Sequence, residues 1–110
     1  MKKIRQFLVF LNTSVLLTCA QAGTSTGPVT NIFMHTPDVV MFKAGTASGS
    51  PKCSPFSEWA IKLSDPAGKG FLAILLSAQA QGKSVKVLGY TNTCRDWGDR
   101  ELPSYIMILD

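Results

Sequence analysis

Apolar positions along the chain fall into runs of different period, and each period predicts an element. Residues 29–35 (VTNIFMH) read as a strand, Thr36-Pro37-Asp38 supplies turn chemistry, and residues 39–43 (VVMFK) read as a second strand rich in β-branched and aromatic side chains. The simplest pairing of the two is an antiparallel hairpin. Ahead of them, residues 23–28 (GTSTGP) are small and polar and predict a flexible leader, and residues 44–51 (AGTASGSP) predict a loop. In residues 56–63, Trp59, Ile61 and Leu63 alternate with Glu58, Ala60 and Lys62, the period of a half-buried strand with Trp59 in the core. A helix is expected over residues 66–81, with Ser64 or Asp65 as cap, Pro66 in the first position and Gly82 as the left-handed stop. Leu72, Leu75, Leu76 and Gln79 or Ala80 form its stripe, and Phe71, Ile74 and Ala78 widen it, so the helix should be buried on more than one side. Residues 84–90 alternate again around Val85 and Val87, and residues 105–109 (YIMIL) are apolar throughout, as in a strand covered on both faces.

The order β-β-β-α-β-β in so short a chain predicts a mainly β fold with one helix, a small five-stranded Greek-key barrel of the OB type. An open α+β sandwich is the alternative.

One apolar run fits neither period. Residues 7–17, interrupted only by Asn12, Thr13 and Ser14, follow a basic Met1-Lys2-Lys3-Ile4-Arg5 and precede Ala20-Gln21-Ala22. That is the layout of a bacterial signal peptide over residues 1–22, cleaved after Ala22, and the run is too short to span a bilayer. Leu16-Leu17-Thr18-Cys19 has the outline of a lipobox, but threonine before the cysteine fits it poorly. Cleavage leaves residues 23–110 as a single domain. The charge of +4 then falls to +1, with eight basic residues against seven acidic. Such a balance gives no reason to expect nucleic acid or an anionic membrane as partner.

The expected mature chain is small enough to need support beyond its core. Of the three cysteines, Cys53 and Cys94 remain, in a periplasmic or secreted setting that oxidises thiols. Their single pairing closes a loop whose chain-entropy contribution is roughly 4 kcal/mol.

Few residues carry chemistry. His35 is the lone histidine, and no nucleophile elbow, HExxH or P-loop pattern occurs. Neither metal nor cofactor is expected. The densest polar cluster is "CRDWGDRE" at residues 94–101. It reads either as a self-neutralising turn in which Trp97 covers the barrel and Gly98 makes the bend, or as a binding loop. In the second reading Trp97 offers a flat face to a sugar, while Asp99, Arg100 and Glu101 supply directed hydrogen bonds. Tyr90, at a strand end, is an exposed candidate beside them. Asp99 and Glu101 as the carboxylate pair of a small hydrolase is a remoter reading, and a protein that binds rather than transforms is expected.

The segments "VTNIFMHT" (29–36), "CSPFSEW" (53–59) and "LLSAQAQGKSVKV" (75–87), taken in order, resemble the B subunits of AB5 toxins, especially the subtilase-cytotoxin and pertussis-like groups. The resemblance implies a secreted OB-fold subunit in a homo-oligomeric ring, commonly a pentamer, that binds cell-surface glycans and serves a toxin A subunit. It also places a sugar-binding serine early in the chain, where Ser25 stands between Thr24 and Thr26. The "WGDRE" stretch has no counterpart in that family. A small periplasmic interaction or inhibitor-type domain without sugar binding is the alternative expectation.

Overall fold

In the computed structural model, residues 22–90 and 93–110 are described. Apart from Ala22, the expected signal peptide lies outside them. The elements are β1 (Thr24–Met34), β2 (Val39–Ala44), β3 (Glu58–Lys62), α1 (Gly68–Gln81), β4 (Ser84–Gly89) and β5 (Pro103–Ile108). They form one antiparallel sheet in the order β3-β2-β1-β4-β5. Its two outer strands approach through a parallel bridge between Trp59 and Glu101, with the Ala60 N–H donating to the Glu101 carbonyl at 3.0 Å. The expected OB-type order is therefore present, with the helix between the third and fourth strands.

β1 serves two partners. Thr24–Pro28 pairs with β4, and the stretch from Val29 onward pairs with β2. Between Thr30 and Phe33 the register shifts, and Asn31 there takes φ 52°, a left-handed conformation that asparagine tolerates better than most residues. This bulge bends the strand so that one chain segment crosses both halves of the sheet. The leader predicted over residues 23–28 is thus corrected: it is the first half of a strand. Its small polar side chains lack a hydrophobic signal because backbone pairing, not apolar burial, holds most of it.

The core comprises Val29, Val40, Phe42, Ala44, Trp59, Ile61, Leu75, Ala78, Val85, Val87 and Ile106. Trp59 is 1% exposed, as its period predicted. The helix begins two residues later than expected, at Gly68, with Ala67 at the N-cap position and no side-chain cap. Ser64 is engaged elsewhere: its N–H and hydroxyl both donate to the Asp38 carboxylate, at 2.9 and 2.6 Å. Gly82 ends the helix at φ 65° with its N–H returned to the last turn, as predicted.

Two burial expectations are corrected. Within one chain α1 buries only Gly68, Leu75 and Ala78 fully, and Leu76 is 47% exposed. In β5, Ile106 faces the core while Met107 faces outward, so the all-apolar run is covered on one face.

Candidate functional site

β2 alternates between two apolar surfaces. Val40, Phe42 and Ala44 point into the barrel, while Val39 and Met41, with Ala60 across on β3, form a second cluster on the outer side. Bare, that patch would be an exposed apolar strip on a sheet. The segment after β4 folds back over it, and half-buried Trp97 packs against the patch. The "CRDWGDRE" segment is therefore a strap across the outside of β2 and β3.

Three devices fix the strap. Cys94 is disulfide-bonded to Cys53, with Cα atoms 6.2 Å apart. A tight turn follows, closed by the Arg100 N–H donating to the Trp97 carbonyl at 3.0 Å, with Gly98 and Asp99 exposed at its tip. Arg100 then lays its guanidinium over the Phe56 ring, 4.0 Å from the centroid, and pairs with Asp99 at 2.9 Å and Glu58 at 3.9 Å.

The turn between β1 and β2 supplies the other wall. His35 and Thr36 donate their N–H groups to the Val39 carbonyl, and the Thr36 hydroxyl accepts from the N–H groups of Asp38 and Val39. The exposed His35 ring meets Trp97 edge-on at 4.4 Å, with Phe33 6.2 Å beyond His35. An aromatic row of Phe33, His35 and Trp97 thus lies between the β1–β2 and β4–β5 loops, the edge of the barrel that OB-folds use for oligosaccharides and oligonucleotides. Sequence reasoning gave His35 no role. Its place next to the Thr-Pro turn, taken together with the OB strand order, was the available signal.

Charge along this edge cancels locally. Arg95 bonds Asp65 at 2.9 Å and Asp96 at 3.2 Å, and Asp96 followed by Asp65 holds its guanidinium more firmly protonated than usual. Arg95 and Asp96 line a cleft of about 290 Å³ at the seam between β3, the start of α1 and β5, with Tyr90 at its rim, 52% exposed.

The residues expected to form one binding cluster are divided between outside and inside. Trp97, Asp99 and Arg100 share the strap, and Tyr90 stands at the seam cleft. Ser25 is buried in the barrel wall, where its hydroxyl accepts the Trp59 indole N–H at 2.9 Å. Glu101 is also buried, 2% exposed, with its carboxylate turned inward onto the Gly23 N–H. No group of three or more metal-binding side chains occurs among the described residues. No helix among them is long and apolar enough to cross a membrane. No protein-family model, curated protein or solved structure matches the chain.

Proposed function

We propose that the chain is an exported glycan-binding subunit that takes sugars at the aromatic edge formed by Phe33, His35 and Trp97. The observation that carries this reading is Trp97 seated on Val39, Met41 and Ala60, with His35 edge-on beside it. A flat ring on a rigid sheet suits the C–H face of a pyranose. The exposed turn tip at Gly98 and Asp99 sets backbone and carboxylate oxygens nearby for hydroxyl groups. Local charge cancellation favours a weakly charged ligand: Arg95 and Arg100 are both committed to carboxylates, and a polyanion needs a run of free cations. Ring assembly and service to a toxin A subunit belong to the same reading through the AB5 resemblance.

The exported, disulfide-bonded protein on a glycan array tests it. Binding should appear for a defined set of sugars, fall at least tenfold in Trp97→Ala and fall more weakly in Asp99→Asn, whose side chain lies at the exposed tip. Failure to bind any sugar at millimolar concentration would sink the glycan reading and favour the periplasmic interaction domain. For that alternative, exposed Phe33 and Met34 at the end of β1 would be protein contacts.

A further inference from the structure

Glu101 closes the barrel seam from inside. Its carbonyl accepts the Ala60 N–H at 3.0 Å, and its own N–H donates to the Ser54 hydroxyl at 3.2 Å. The carboxylate takes the Gly23 N–H in bifurcated fashion, 2.8 Å from one oxygen and 3.2 Å from the other. Glycines wall it: a Cβ at Gly89 or at Gly23 would overlap a carboxylate oxygen. No lysine, arginine or histidine among the described residues forms an ion pair with it. Neighbouring Arg100 is drawn to Asp99 and Glu58 instead. Gly23, Gly89 and Ser54, which bond to Glu101 or wall it, carry no side-chain charge.

A buried carboxylate with a single amide donor is costly, because one neutral N–H replaces little of its lost hydration. Burial accordingly pushes the Glu101 carboxyl above its usual value, with the Gly23 bond pulling weakly the other way. The donor's position in the sequence suggests what completes the pair. Gly23 directly follows Ala20-Gln21-Ala22, the expected signal-peptide cleavage site.

We propose that hydrolysis of the Ala22–Gly23 bond turns this hydrogen bond into a buried ion pair, the new α-ammonium of Gly23 against the Glu101 carboxylate. Water adds across the peptide bond under a signal peptidase, Ala22 leaves as the carboxylate end of the leader, and the freed Gly23 amine takes up a proton. The nitrogen already stands at ion-pair distance from both oxygens, so the barrel need not rearrange. Processing thereby locks the start of β1 to the β3–β5 seam, and glycine at position 23 follows from the lack of room for any side chain. The proposal rests on the cleavage site and the Glu101 geometry, and it stands or falls independently of glycan binding.

The sign of pH dependence separates the two forms. With residues still attached ahead of Gly23, the folded carboxyl titrates above its usual 4.5, so its stabilising contribution is full below that pH and lost as pH rises through the folded value. In the processed chain the ammonium pulls the carboxyl down, and the contribution is present above the usual value and lost as pH falls.

Export of the full chain, followed by intact mass and α-amine titration of the folded, oxidised product, tests the pair. The mass should correspond to a chain starting at Gly23. Its α-amine should titrate at least one unit above the ordinary range of about 7.7–8.0, at least a tenfold preference for the charged form, and return to that range in urea or in Glu101→Gln. Should Glu101→Gln not fold, the urea comparison on the wild-type protein still decides. A mature start at any other residue, including a lipidated Cys19, overturns the proposal, as does an α-amine with ordinary titration in the folded state.

Discussion

Ser25 shows how one hydroxyl can be mistaken for a ligand contact. It sits on β1 where the strand crosses the barrel, and its oxygen is the acceptor for the indole N–H of Trp59, the largest side chain of the core. Removing the oxygen leaves a buried donor unpaired, which costs about 1–3 kcal/mol. Ser25→Ala should therefore lower the stability read from urea unfolding by that amount, while sugar binding by the folded fraction stays within twofold of wild type. A large loss of binding at unchanged stability would instead place Ser25 in a ligand site. From sequence, Ser25 was a candidate through resemblance alone. Nothing in "TSTGP" announced that the second residue faces inward, because the strand's inward positions there are serine and glycine rather than apolar.

Among the elements, the strap over β2 and β3 depends most on covalent support. Within it, Trp97 covers the Val39, Met41 and Ala60 patch and Asp96 and Glu101 are buried, but the segment is otherwise polar and its closure carries a sizeable entropy. The disulfide spans a sequence separation of 41, for which the chain-entropy model gives about 4 kcal/mol. Replacing both cysteines, Cys53→Ser with Cys94→Ser, should cost roughly that much in urea unfolding and should loosen Trp97, seen as a red shift of its emission before global unfolding. Retention of both stability and emission would mean that the strap is held by Trp97, Arg100 and Glu101 without the bond. Strands β3 and β4 were legible through the alternation of Trp59 and Ile61 and of Val85 and Val87, and β2 through its run of β-branched and aromatic residues. The first half of β1 was illegible because its polar residues are held by backbone bonds to β4. The helix start was misread because Asp38, distant in sequence, claims Ser64. The strap was half legible: its composition marked a turn with an aromatic cover, but which side chains face in and which face out depends on the bridge from Glu101 to Trp59, a contact without local signature.

At the scale of the whole molecule, the succession of elements along the chain was readable from their periods, whereas the partners of its outer surfaces were not. A lone barrel leaves α1 with Gly70, Ala73, Leu76 and Ala80 facing away from its own core. Small residues with one leucine let another backbone approach closely, and the outward side of this helix carries little charge beyond Lys69. If α1 lies at the centre of the proposed ring, each copy covers its neighbour's Leu76. Light scattering on a size-exclusion column should then give a mass near five subunits for the oxidised protein. Leu76→Glu should return it to one subunit with the far-ultraviolet spectrum unchanged, since Leu76 is not part of the barrel core. A wild-type monomer at micromolar concentration would remove the ring and leave α1 as a helix whose outer face simply meets water; an assembly that survives Leu76→Glu would move the interface elsewhere, with exposed Phe33 and Met107 the next positions to substitute.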